Sequence, residues 1–307
     1  CGAIGATLFW NHGGIMYKQI AANKRNTILI MGFFVLLISV IGWAVAFFIR
    51  DWWVAIWVIL IALVYAVIQY FASASLAVAM TGAKQIKKRD NPRLYNTVEN
   101  LSITMGLPMP KVYVIDDPAP NAFATGRDPQ HAIVAATTGL LDIMDNKELT
   151  AVMAHEMSHV KNYDIRVSMI TFGLVCLVGL IADLGYRMMF YANRANDEDN
   201  SPVGLIVMIL VSVLAPIAAS LAQMAVSRER EYLADVSAAH TTRYPEGMIS
   251  ALKKLDTHSR PMRRQNPATE ALYITSPLKK GAIKNLFSTH PPIEKRIERL
   301  EHGKNKF

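Results

Sequence analysis

The chain has 307 residues, 32 Lys plus Arg against 24 Asp plus Glu, and a formal net charge of +8. Those charges avoid four windows, 27–49, 53–83, 167–182 and 203–227, each mostly apolar. A membrane-spanning helix needs about 20 such residues, so the pattern excludes a single soluble globule. Two cysteines, Cys1 and Cys176, exclude a disulfide framework and a thiolate metal cluster, and place the soluble part in a reducing compartment.

In chain order, residues 1–15 are Gly-rich and uncharged and read as a leader or N-terminal extension, with the natural start at Met16. The basic stretch from Met16 to Asn26 leads into a first membrane hairpin over 16–83, turned at Arg50-Asp51-Trp52 and anchored by Trp52, Trp53 and Trp57. Lys18, Lys24 and Arg25 precede its first span, and Lys84, Lys87, Lys88 and Arg89 follow its second. The positive-inside rule therefore puts both its ends in the cytoplasm. This also accounts for a sequence pI near 9.4 without any nucleic-acid partner. Residues 92–108 carry apolar side chains at 94, 98, 101 and 105, which predicts a helix ended by Gly106. Residues 111–115, 122–125 and 132–136 read as short strands, the second at a sheet edge, before a helix begins near Asp145.

A second hairpin over 165–227 repeats the charge pattern. Lys161 and Arg166 lie before its first span and Arg228 and Arg230 after its second, while the connection 183–202 sets Arg187 and Arg194 against Asp183, Asp197, Glu198 and Asp199. Its first span is the weakest, since only 16 residues are uncharged there. Residues 84–164 and 228–307 form one cytoplasmic domain in this reading, large enough for a real core.

The chemistry lies beside the second hairpin. In His155-Glu-Met-Ser-His159 the two histidines are one helical turn apart on one face, with Glu156 next to the first. Two imidazoles so placed close on one zinc ion, and the intervening carboxylate takes a proton from the attacking water. The third ligand is best sought in Ser227-Arg-Glu-Arg-Glu-Tyr-Leu-Ala-Asp235, where Glu231 and Asp235 are again one turn apart. One of the two ligates and the other accepts from a ligand imidazole; the competing reading is a charged membrane flank. A zinc transporter or scaffold without proteolytic activity is the alternative function. A transporter needs ionisable ligands at mid-membrane depth, and the four windows hold none.

Taken together, Asn121-Ala-Phe-Ala-Thr-Gly126, His155-Glu-Met-Ser-His159, Ser227 to Asp235 and Thr289-His-Pro-Pro-Ile-Glu-Lys-Arg296 resemble the HtpX family of membrane-integrated zinc metalloproteases, related to the CAAX prenyl endopeptidases. The resemblance runs from about Met16 to the C-terminus. It implies a mostly α membrane protein with four transmembrane helices and an α+β zincin-like metalloprotease domain with a small sheet. It further implies one Zn²⁺ on His155, His159 and Glu231, Asp235 as the supporting carboxylate, and Glu156 as the general base. The implied activity is quality control in a bacterial inner or plasma membrane, with misfolded or damaged membrane proteins cut on the cytoplasmic side. The remaining motifs then have roles to fill. Asn121, Ala122, Phe123 and Ala124 line an edge strand that holds an extended substrate. His290 donates to the oxyanion, and Arg296 holds Glu231 or a neighbouring carboxylate.

Overall fold

The computed structural model describes residues 12–176, 187, 228–276 and 291–303. Two long helices, α1 (His12–Ile49) and α2 (Trp52–Thr81), are joined by Arg50 and Asp51. Arg50 turns the chain at φ 59°, and Asp51 caps α2 by accepting from the Trp53 amide at 3.0 Å. Gly82 ends α2 in the left-handed region, at φ 71°, which a residue with a Cβ adopts only under strain. Within this hairpin Ile20–Val40 and Ala55–Thr81 are long and apolar enough to cross a membrane, and only 22% of each most apolar window is buried. Helices inside a soluble core are mostly buried, whereas Leu29, Leu36, Ile61 and Val64 here face outward.

After the hairpin come β1 (Lys84–Gln85), α3 (Pro92–Met105), β2 (Lys111–Ile115), β3 (Ala122–Thr125), β4 (Ile133–Thr137), α4 (Thr138–Ile143) and α5 (Asn146–Lys161). A further helix, α6, covers 164–176. The rest of the third apolar window, the whole fourth, residues 1–11 of the expected leader, and His290 lie outside the described residues. The soluble part continues with α7 (Arg228–Thr242), α8 (Pro245–Thr257) and α9 (Ile293–Gly303).

The four strands form one small mixed sheet in the order β1-β2-β4-β3, with β2 and β4 parallel and the other pairs antiparallel. Side chains alternate across it. Val112, Ala124 and Val134 face a core built with Leu94, Val98 and Leu101 of α3, Val152 and Met153 of α5, and Leu252 and Leu255 of α8. Phe123 and Ala135 face the other way, onto Ala77 of α2 and Phe172 of α6. The sheet thus lies between the helices of the soluble part and the end of the membrane hairpin. Burying each of the larger side chains contributes about 1.5–3 kcal/mol.

The helix predicted over 92–108 forms as α3, with Leu94, Val98, Leu101 and Met105 inward and Gly106 closing it at φ 66°. The last predicted strand starts one residue later than its pattern predicts, at Ile133, and β1 has no counterpart among the predicted strands. Both residues of β1 are exposed, so it lacks the apolar alternation by which a strand is read. From the second expected hairpin, α6 packs Val167, Ile170 and Leu174 against Ile30 and Phe34 of α1, and Tyr65 donates to the Gly173 carbonyl at 3.0 Å.

Candidate metal centre

The site rests on α5, and the sequence fixes that helix at its first turn. Asp145 accepts from the amides of Lys147 and Glu148, while Glu148 accepts from the Asp145 amide, which together make a capping box. Glu148 also accepts from Ser250 and Lys254 of α8, both at 2.6 Å, so the helix start is pinned to the domain core. Two turns on, His155 and His159 point the same way, and α7 lies alongside carrying Glu231 and Asp235.

Among the described residues, His155, His159 and Glu231 bring one ligand atom each to within 4.8 Å of one another. The two Nε2 atoms face each other at 3.3 Å, and the Glu231 carboxylate lies 3.6 Å from His155 Nε2 and 3.5 Å from His159 Nε2. Each imidazole has a carboxylate behind it: His155 Nδ1 is 2.9 Å from Asp235 and His159 Nδ1 is 3.0 Å from Asp164. A carboxylate at Nδ1 selects the tautomer whose Nε2 carries a lone pair, which is the form that ligates a metal. Two imidazole nitrogens and one carboxylate suit a divalent first-row metal, so these residues fit such an ion.

Behind Asp235 lies Arg296 of α9, buried, donating through Nε at 2.8 Å and Nη2 at 2.6 Å to the two carboxylate oxygens. Its Nη1 is 3.8 Å from Glu231, so one guanidinium spans both carboxylates of α7.

Electrostatics follow from this burial. Desolvation alone would lower the His155 imidazole, but its hydrogen bonds to Asp235 and Glu231 outweigh it and raise the pKa to about 9 in the metal-free protein. His159 is also raised, against its own burial, by Asp164 and Glu231. Burial lifts Glu156 above the usual carboxylate range, and Glu231 adds to the lift while His155, His159 and Arg296 oppose it. For Asp235 the order reverses: burial would raise it, and Arg296 holds it low.

Sequence reasoning missed Asp164. It lies five residues beyond His159, past the end of α5, and returns to the imidazole because Tyr163 turns the chain at φ 60°. The expected substrate strand also holds a surprise. Strand β3 runs beside α5 at the end of the strand order, yet all four of its residues are buried. Residues 273–275 lie along its outer edge: Phe123 bridges to Tyr273, Ile274 donates its amide to the Ala122 carbonyl at 3.0 Å, and Asn121 donates to the Thr275 carbonyl at 2.9 Å. The outer edge of β3 thus carries a piece of the chain itself.

This fold and site define a membrane metallopeptidase. A family model described as Peptidase family M48 matches residues 88–304, and the chain belongs to that family. A protein named Protease HtpX homolog from Tropheryma whipplei (strain Twist) is 55% identical over 293 residues, covering 95% of this chain and 100% of the relative. Another of the same name from Ligilactobacillus salivarius is 45% identical over 295 residues, covering 94% and 100%. The crystal structure of S. mikatae Ste24p aligns at 17% identity and a TM-score of 0.47, over 93% of this chain and 66% of that one.

Proposed function

We propose that the chain is a zinc-dependent endopeptidase of a bacterial cell membrane that cuts misfolded or damaged membrane proteins on the cytoplasmic side. The observation that carries this reading is the convergence of His155, His159 and Glu231 beside a buried Glu156, in a chain with two membrane-length helices. In this reading those three residues hold the zinc. When bound, the ion supplies a Lewis acid for the scissile carbonyl and acidifies the attacking water. Glu156 takes the water's proton and passes it to the leaving amine. Asp235 and Asp164 keep both imidazoles in the ligating tautomer, and Arg296 fixes Asp235. His290 donates to the oxyanion of the tetrahedral intermediate.

Substrate enters as an extended strand along β3, held by the backbone of Asn121, Ala122, Phe123 and Ala124, which reads peptide backbone more than side chains. Residues 273–275 must leave that edge first. The topology is four spans, with hairpins at 16–83 and 165–227 behind a leader at 1–15, and 84–164 with 228–307 as the cytoplasmic domain. Support comes from the Lys and Arg at every inner junction and from α6, which packs on the first hairpin. The test is a membrane-fraction assay on an unfolded membrane protein, with chelator and with zinc restored. Cleavage that stops in chelator and returns with zinc is expected; cleavage indifferent to chelator contradicts it. A topology reporter at residue 195 is expected outside, and a cytoplasmic signal there contradicts the four-span arrangement.

A further inference from the structure

The two imidazoles of the site are held from opposite directions. His155 is fixed from within the soluble domain, through Asp235 and Arg296. His159 is fixed through Asp164, and Asp164 is held by a residue of the first membrane helix. Asn23 lies in α1 three residues into its apolar span, and it is buried. Its side-chain amide uses both hydrogens, one donated to Asp164 Oδ1 at 2.7 Å and one to the Asn162 carbonyl at 2.8 Å. Asp164 then accepts from His159 through its other oxygen.

From this geometry we infer that Asn23 is a positioning residue for the metal centre, and that the first membrane helix is part of the site's scaffold as well as an anchor. The inference rests on the reading that His155, His159 and Glu231 hold a metal. Asparagine suits the position chemically. It offers two donors from one rigid group, enough to tie a carboxylate and a backbone carbonyl together across the turn at Tyr163. Aspartate would place a second carboxylate against Asp164, and serine supplies one donor. The turn is held from outside as well, with Lys24 of α1 4.7 Å and Arg166 of α6 5.1 Å from the Tyr163 ring centroid. Arg230 of α7 reaches Asp164 Oδ1 at 3.8 Å, so α1, α6 and α7 all meet around this one turn. Withdrawing α1 by more than a hydrogen bond's tolerance leaves the His159 carboxylate without its amide clamp.

The experiment uses the full chain in lipid nanodiscs, metal-free, titrated with zinc against a chromogenic chelator, and with cobalt to record the ligand-field spectrum. Asn23→Ala is expected to weaken zinc binding about 10-fold or more and to shift the cobalt bands, as loss of support behind a ligand does. Asp164→Ala is expected to do the same, and adding Asn23→Ala to it is expected to change affinity less than about 2-fold, since the amide acts through that carboxylate. Thr27→Val, which removes only a hydroxyl bonded back to the Asn23 carbonyl, is the control for disturbance of α1 and is expected to leave zinc affinity and spectrum unchanged. Asn23→Ser keeps one donor and is expected to give an intermediate loss, which keeps the test open if the alanine variant fails to fold. Unchanged affinity in the folded Asn23 variants, or losses that multiply in the double variant, would overturn the inference. A wild-type protein that binds no zinc, or binds it as well in Glu231→Ala, would instead remove the metal reading beneath it.

Discussion

Deleting the Asp235 carboxylate separates two jobs that one side chain performs. Asp235 accepts two hydrogen bonds from Arg296, at 2.8 and 2.6 Å, and lies 2.9 Å from His155 Nδ1, with carboxylate and guanidinium both buried. Removing one partner of a buried ion pair costs about 3–5 kcal/mol, because the other charge stays out of water with weaker pairing; here Arg296 keeps the more distant Glu231 carboxylate, at 3.8 Å. In a domain whose whole stability is about 5–15 kcal/mol, that is a large share. At about 2–4 °C per kcal/mol, Asp235→Ala is expected to melt roughly 6–20 °C lower in its metal-free form. Zinc affinity is expected to fall about 10–100-fold as well, since His155 loses the acceptor that fixes its tautomer. The double variant Asp235→Ala/Arg296→Met removes both charges of this pair and leaves Glu231 beside the imidazoles of His155 and His159, so much of the thermal loss should return while the metal loss persists. Thermal unfolding in detergent and a zinc competition titration read the two effects independently. Destabilisations that simply add in the double variant, or zinc affinity that recovers there, would refute this account of Asp235.

Glu231→Ala is expected to lose both metal and activity while Glu229→Ala retains both; the reverse pattern in a metal analysis would mean that the register on α7 is wrong. Raising pH should act on the metal-free site in two opposed ways. The His155 pKa is raised from 6.5 to about 9, so its contribution to stability is fully present below 6.5 and is lost as pH climbs through 9. Zinc must displace the same proton, so melting temperature should fall and zinc affinity should rise over that interval; parallel trends would contradict the charge assignment. A peptide of residues 271–277 should inhibit competitively, raising KM for an unfolded substrate, and Ile274→Pro, which removes the amide bonded to β3, should raise kcat/KM. Inhibition that leaves KM untouched would place the substrate away from β3.

Much of this was legible in the sequence because it was local. One turn of helix separates His155 from His159 and Glu231 from Asp235, and that spacing alone puts each pair on one face. The apolar stripe of α3 and the outward-facing hairpin were readable for the same reason. What stayed hidden depends on chain reversals and on distant pairing. Asp164 belongs to no periodic pattern with His159, and only the left-handed turn at Tyr163 brings it back. Asn23 meets that turn from 141 residues away, and nothing in a basic membrane flank marks it. Phe123 and its neighbours read as an open edge because the segment that covers them comes about 150 residues later, from a stretch around Tyr273 with no strand pattern of its own.

The central claim is that a metal on His155, His159 and Glu231 works with Glu156 to break peptide bonds. Glu156→Gln tests it most directly, since the amide keeps the volume of the carboxylate but cannot act as a base. The measurement pairs zinc content with cleavage of an unfolded membrane protein, on the purified full chain in lipid. One zinc per chain with cleavage reduced by several orders of magnitude is the predicted result. A variant with full zinc that cleaves at the wild-type rate would contradict the claim.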